Sequence, residues 1–259
     1  MTNKRFEGVL ICSDMDGTFA IGKSIPQNNI DAVKSFCEQG GKFTISSGRQ
    51  AAYLDDLLGG LCNAPYICLN GTMIYDQING KVLLEEPLDS DALEPVRYLS
   101  EKYGACPLYV VAYTKSDVAI EAPLEMFPFE ECQGKTIMKV VIAWKEEVNN
   151  LNIQTELPQR FPQFAFSRSW WTGLEYYSRK VGKGVCVKWL KSYLGVHTLV
   201  CVGDFENDIS MLQSADIAFA PENACPEVKA LSPVVLCDVE NGTLADLIEK
   251  LPDYLPPNR

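Results

Sequence analysis

Along the N-terminal part of the chain, short apolar runs alternate with segments whose apolar residues recur at helical spacing. GVLICS at 8–13 predicts a buried strand, and Ile30, Val33 and Cys37 form a helical stripe that ends at Gly40 and Gly41. FTIS at 43–46 predicts a second strand. Tyr53, Leu54, Leu57 and Leu58 make another helical face before Gly59 and Gly60, and YICL at 66–69 predicts a third strand. Strand, helix and strand in succession are the rhythm of a parallel sheet.

After Asn70-Gly71 the rhythm changes. MIYD at 73–76 and KVLLEE at 81–86 flank Ile78-Asn79-Gly80, which is a hairpin signal. A helix carrying Leu93, Val96 and Leu99 follows, with Pro95 blurring its start. LYVVAY (108–113), DVAIE (117–121), IMKVVIAW (137–144) and FAFSRSW (164–170) then read as strands with few helices between them. From Lys183 the βα alternation returns, with strands TLVCVG (198–203), DIAFA (216–220) and PVVLC (233–237). The expected organisation is an α/β domain built from both ends of the chain, 1–83 and 179–259, with an inserted α+β domain at 84–178. The sequence contains no internal repeat, and the terminal LPPNR is expected to fray.

Composition narrows the function. Thirty-four acids against 23 Lys and Arg give a net charge of −11, which argues against nucleic acid and anionic membranes as partners. No run approaches the roughly 20 apolar residues of a membrane span. The N-terminal apolar run is interrupted at Ser13 and Asp14, so no signal peptide is expected and the expected location is cytoplasmic. The ten cysteines include no C-x-x-C pair and there is one histidine, His197, which leaves little for a zinc cluster or a Ser-His-Asp triad. Reduced, structural thiols are expected.

The acids themselves are patterned. The first strand ends in Asp14-Met15-Asp16-Gly17-Thr18, and ligands of open parallel sheets bind outside the carboxyl ends of strands. A calcium loop is excluded, because an EF-hand needs its glycine at loop position 6 and Gly17 stands fourth. A later strand ends in Gly203-Asp204-Phe205-Glu206-Asn207-Asp208, where Asp204 and Asp208 can share one face at a helix start. Together these acids make an all-oxygen set suited to a hard cation such as Mg²⁺.

In order, D-M-D-G-T, S-S-G-R, V-G-K-G and G-D-F-E-N-D resemble the motifs of the haloacid dehalogenase (HAD) superfamily of phosphohydrolases. The large gap between Ser47 and Lys183 resembles its type II (C2) cap branch, the Cof-like hydrolases of subfamily IIB. The likeness runs nearly end to end, including Asn70-Gly71 and A-P-E-N-A at 220–224. It implies a Rossmann-like, doubly wound parallel sheet with an inserted cap, and a Mg²⁺-dependent phosphatase acting on small phosphorylated metabolites, sugar phosphates above all.

In that scheme Asp14 is the nucleophile that forms an aspartyl-phosphate, and Asp16 protonates the leaving oxygen and then deprotonates the attacking water. Mg²⁺ is held by the Asp14 carboxylate, the Asp16 backbone carbonyl and the Asp204 carboxylate, with Asp208 close by. Ser47, the Gly48 N–H and Lys183 receive the phosphoryl group. Asn207 orients Asp204 or the phosphate, and Arg49 reaches substrate or forms a salt bridge within its own domain. Asn70 and Gly71 belong to the substrate-facing set, and Lys139 and Glu175 are the cap residues expected at the leaving group. Ser47 could equally serve as a helix N-cap, and Trp170 and Trp171 as packing. Phe19 after D-G-T and Ser47 in place of the more frequent Thr depart from the pattern without removing a functional group. The motifs leave two alternatives open, a phosphosugar mutase with the same intermediate and a non-catalytic sugar-phosphate sensor. They do not choose between monomer and homodimer.

Overall fold

A computed structural model describes residues 4–103, 108–145 and 152–255; Cys106 and the tail after Leu255 lie outside the described residues. In chain order the strands are β1 (Val9–Ser13), β2 (Lys42–Ile45), β3 (Tyr66–Cys68), β4 (Met73–Asp76), β5 (Lys81–Glu85), β6 (Leu108–Tyr113), β7 (Val118–Pro123), β8 (Lys139–Trp144), β9 (Phe164–Ser167), β10 (Gly173–Ser178), β11 (Thr198–Val202), β12 (Ile217–Pro221) and β13 (Val235–Leu236). The helices are α1 (Gln27–Glu38), α2 (Ala51–Leu58), α3 (Glu94–Tyr103), α4 (Ile153–Arg160), α5 (Lys183–Leu194), α6 (Ile209–Leu212), α7 (Pro226–Lys229) and α8 (Thr243–Lys250).

A five-stranded parallel sheet runs β13-β12-β11-β1-β2. Its central strands β1 and β11 are buried along their whole length, as strands covered on both faces must be. Their alternating side chains divide the covering layers. Val9, Ile11, Val200 and Val202 pack with α1, α2 and α8, whereas Leu10, Cys12, Leu199 and Cys201 pack with α5, α6 and α7. The architecture is therefore the doubly wound α/β fold that the sequence predicts. The three-stranded antiparallel sheet β3-β4-β5 adjoins it through a parallel bridge between Ser46 and Ile67.

The second large sheet, β7-β6-β8-β10-β9, is antiparallel throughout. Val110, Val140, Ile142, Leu174 and Tyr176 on one face pack with Val96 and Leu99 of α3 and Ile153 and Leu157 of α4. Period-2 alternation sends Tyr113, Lys139, Val141 and Glu175 to the other face.

The strand and helix pattern departs from expectation in a few places, each for a physical reason. Strand β10 escapes notice because all six of its residues are buried, one set against the second sheet's own core and the other toward the parallel sheet, so no polar alternation marks it. Helix α4 contains Pro158 and few apolar positions. FAFSRSW is strand only to Ser167, and PVVLC contributes only Val235 and Leu236. Nine free thiols are present among the described cysteines. Burial pushes those of Cys12, Cys62, Cys68, Cys186 and Cys201 above their ordinary range, so they pack as small apolar groups.

One buried amide ties the two ends of the chain. Asn29 in α1 donates to the Phe19 carbonyl (3.1 Å) and accepts from the N–H groups of Leu244 (2.9 Å) and Ala245 (3.1 Å) in the first turn of α8. It thereby satisfies donors that Gly242, at the N-cap, cannot. Asn29→Ala leaves three buried groups unpaired, and a loss of about 2 kcal/mol in urea denaturation is expected; a loss under about 0.5 kcal/mol would assign the cap to water.

Candidate active site

The site lies at the carboxyl ends of β1 and β11. The Asp14 N–H donates to the Val202 carbonyl at 2.9 Å, which extends the ladder by one residue and places the Asp14 side chain beside the β11 exit. The chain then turns sharply through Gly17, whose φ of +89° suits glycine. A Cβ on Gly17 would lie 2.5 Å from Asp204 Oδ2, so this position also keeps space for that carboxylate. Thr18 donates its hydroxyl to Asp204 Oδ1 at 2.9 Å.

Carboxylate oxygens of Asp14, Asp204 and Asp208 come within 4.8 Å of one another. Lys183, the first residue of α5, is fully buried and donates to Asp14 Oδ1 at 2.5 Å and to Asp208 Oδ1 at 2.6 Å. Asp208 Oδ2 accepts the backbone N–H of Asp204 at 3.0 Å, so both its oxygens have protein donors. Asp14 and Asp204 each keep an oxygen, Oδ2 in both, without a protein donor among the described residues.

Electrostatics shows what this cluster lacks. Burial, and then the charge of Asp208, hold Asp14 well above the usual carboxylate range; the same two causes push Asp204 up to about 7. Burial alone would lower Lys183, but the charges of Asp14 and Asp208 outweigh it and raise the amine above its ordinary value. Three carboxylates against one ammonium leave two negative charges in a buried, all-oxygen pocket. That donor set fits a divalent hard cation, and divalent metal use is general among the hydrolases this chain resembles.

Opposite the cluster, the loop Ser47-Gly48-Arg49 follows β2. Its carbonyls are held from outside: Ser47 O by the Asn70 N–H (3.0 Å), Arg49 O by the Leu69 N–H (3.0 Å), and Gly48 O by Lys139 Nζ (2.9 Å). Ser47 is not a helix N-cap, because α2 starts at Ala51 with Gln50 in that position; its Oγ instead accepts the Arg49 N–H at 3.1 Å. The Gly48 N–H has no protein acceptor among the described residues. Arg49 forms a bidentate pair with Asp16, Nε to Oδ2 at 3.0 Å and Nη2 to Oδ1 at 3.1 Å. Both partners are about half exposed, so the pair contributes about 1 kcal/mol at most and can open.

A cavity of about 380 Å³ separates these loops from the second antiparallel sheet, and Asp14, Asp16, Ser47, Gly48, Arg49, Asp204 and Asn207 line it from one side. Lys139 and Glu175 line it from the other, paired with each other at 2.5 Å and almost fully buried. Asn207 does not turn toward Asp204; its Nδ2 donates to Ser169 Oγ at 2.9 Å. Gly71 stands behind the site, where a Cβ would meet the Gly182 carbonyl carbon at 2.5 Å, so it shapes the approach to Lys183 instead of facing the cavity. Asn70 likewise faces Glu175, at 2.6 Å from Nδ2 to Oε2.

Sequence reasoning passed over Thr18, Tyr113, Val141 and Ser169, and it read Trp170, which lines the cavity, as packing. Thr18 sits inside a motif already singled out. Ser169 and Trp170 belong to a segment read as strand that is in fact the loop between β9 and β10. This loop docks on the acidic turn through an Arg168–Glu206 ion pair and an edge contact of Trp171 with Phe205 at 5.0 Å.

Gly17→Ala combines left-handed backbone strain with a Cβ against Asp204 Oδ2. Phosphate release from an aryl phosphate is expected to fall at least about tenfold with an unchanged far-UV circular dichroism spectrum; undiminished activity would show that the Asp204 position is not critical.

A model of the haloacid dehalogenase-like hydrolase family matches residues 11–248. The phosphoglycolate phosphatase of Sulfurisphaera tokodaii is 27% identical over 239 residues, spanning 90% of this chain and 89% of its own. The pyridoxal phosphate phosphatase YbhA of Escherichia coli is 27% identical over 267 residues, 92% of this chain and 97% of its own. In fold, the chain is similar to a haloacid dehalogenase-like hydrolase from B. subtilis, with a TM-score of 0.82 at 20% identity, covering 93% of this chain and 99% of that one. It is also similar to the HAD subclass IIB sugar phosphatase BT4131, with a TM-score of 0.79 at 19% identity, covering 93% and 98%. The chain thus belongs to the haloacid dehalogenase-like hydrolases, as a phosphatase.

Proposed function

We propose that this enzyme hydrolyses small phosphorylated metabolites, chiefly sugar phosphates, with Mg²⁺ and an aspartyl-phosphate on Asp14. The observation that carries the reading is the buried arrangement of Asp14, Asp204 and Asp208 around Lys183, facing the Ser47-Gly48 loop across a cavity of about 380 Å³. A volume of that order suits a small metabolite. Residues 1–83 and 179–259 form the catalytic domain in this reading, and 84–178 the cap that closes over the leaving group and excludes water.

Asp14 and Asp204, with their unengaged Oδ2 atoms, and the Asp16 backbone carbonyl would hold the Mg²⁺, which when bound offsets the cluster's negative charge and polarises the phosphoryl group. Asp208 fixes Lys183 and the Asp204 backbone. The Ser47 hydroxyl, the Gly48 N–H and Lys183 would receive the phosphoryl oxygens. Asp14 attacks phosphorus as the bond to the leaving oxygen breaks, and Asp16, released from Arg49, gives that oxygen its proton. Water then attacks the phosphorylated Asp14 while Asp16 takes its proton, and inorganic phosphate leaves with Asp14 restored. Sugar phosphates are favoured over charged leaving groups because Lys139 and Arg168 each already face a carboxylate.

Asp14→Asn removes the nucleophile while keeping shape, so kcat should fall below about one part in a thousand of wild type, with the unfolding midpoint retained; a variant above about one part in a hundred would mean another nucleophile. Excess chelator should abolish phosphate release and added Mg²⁺ restore it, and activity persisting through exhaustive chelation would remove the metal from the mechanism. Product analysis with a hexose phosphate should show inorganic phosphate, not an isomerised ester.

A further inference from the structure

Lys139 and Glu175 are the cap-side pair in the cavity wall, and their contacts run to the loops of the parallel-sheet side as much as to each other. Lys139 starts β8 and Glu175 sits within β10; since Glu175 pairs in register with Val141, the two side chains lie diagonally on one face of the antiparallel sheet. Lys139 is 4% and Glu175 2% exposed. Lys139 Nζ donates to the Gly48 carbonyl at 2.9 Å and to Glu175 Oε2 at 2.5 Å, and Glu175 Oε2 also accepts Asn70 Nδ2 at 2.6 Å. The Asn70 N–H in turn holds the Ser47 carbonyl at 3.0 Å. A Cβ on Gly48 would sit 3.2 Å from Lys139 Nζ and 3.3 Å from Asn70 Oδ1, so the contact is close on both sides.

We infer that the Lys139–Glu175 pair is a closure latch that sets the Ser47-Gly48-Arg49 loop, a positioning role distinct from contact with the leaving group. Two of the three loop carbonyls are held by backbone donors of Leu69 and Asn70, which lie on the parallel-sheet side of the cavity. The third, Gly48 O, is held by Lys139 alone among the described residues. The side chain of Asn70, whose own backbone at φ +58° is in the left-handed region, is held by Glu175. The loop that presents the Gly48 N–H and the Ser47 hydroxyl is therefore complete only while the antiparallel sheet is docked. Neither charge of the pair is free for a ligand, since each neutralises the other in a nearly dry environment. Removing one partner leaves the other charge buried and unpaired, which resists docking; removing both relieves that penalty but not the loss of the Gly48 contact.

The inference rests on the phosphatase reading, and the experiment separates the two. Lys139→Met, Glu175→Gln and the double variant are compared with wild type on an aryl phosphate, whose leaving group has no hydroxyls, and on a hexose phosphate. A latch predicts that kcat falls about tenfold or more on both substrates by the same factor, with KM changed less than about threefold. The double variant should be no worse than the more impaired single one, the signature of residues acting as a unit. Hydrogen exchange in the absence of substrate should show faster exchange of the Ser47, Leu69 and Asn70 amides in the variants, with the midpoint of global unfolding unchanged. A loss confined to the hexose phosphate and expressed in KM would make the pair a leaving-group subsite and overturn the latch, as would unchanged exchange in that loop. Absence of wild-type turnover on either substrate would instead overturn the phosphatase reading, and the exchange measurement would then judge the latch alone.

Discussion

The site depends on one buried ammonium. Lys183 is enclosed where two carboxylates reach it, and it can remain charged there only because Asp14 and Asp208 outweigh the cost of burial. The converse holds as well: Asp14 and Asp208 tolerate burial in part because Lys183 lies between them. The balance is incomplete, with three carboxylates to one ammonium, and burial, with the charge of Asp208 added to it, raises the proton affinities of Asp14 and Asp204. A cluster organised this way binds a divalent cation or protons, and the phosphatase chemistry of the family follows from the first option.

Backbone constraints deliver these groups to one point. Strands β1 and β11 are neighbours in register, so the segments leaving them are adjacent without any long connection. Gly17 and Gly203 keep those segments thin: a Cβ at Gly203 would meet Asp208 Cβ at 2.5 Å, as one at Gly17 would meet Asp204. Gly71 allows the Gly182 backbone to approach, which seats the start of α5 and hence Lys183. The antiparallel sheet supplies the opposite wall through simple alternation, with Val140 and Tyr176 turned to its own core while Lys139 and Glu175 face the cavity.

Much of this was legible in the chain. The runs GVLICS and TLVCVG, with helical stripes between, identify central parallel strands, and acids at the ends of those runs mark where a ligand site belongs. The gathering of Asp14, Asp204 and Asp208 at one point was readable because acids end both runs, and acids crowded into glycine-bearing turns repel one another unless a positive charge sits among them. What stayed hidden depends on tertiary contact. Strand β10 is buried on both faces, so its six residues carry no period. The partners of Asn70, Asn207 and Arg168 come from the opposite sheet or the opposite loop, well over thirty positions away in sequence. No local pattern distinguishes an arginine that meets Asp16, as Arg49 does, from one that awaits a substrate.

The central claim is that two unmatched negative charges make the cluster a divalent-cation site. Thermal unfolding of the metal-free protein, followed as Mg²⁺ is added, tests it directly. A cation that binds only the folded chain adds about 2.7 kcal/mol of stability at one hundred times its dissociation constant, which for a chain of this size corresponds to a rise of several degrees in Tm. The expected result is such a rise, with one cation bound per chain, and its disappearance in the Asp14→Asn/Asp204→Asn double variant, where one carboxylate faces one ammonium. A Tm indifferent to Mg²⁺ up to about 10 mM, or a rise that survives in the double variant, would contradict the account.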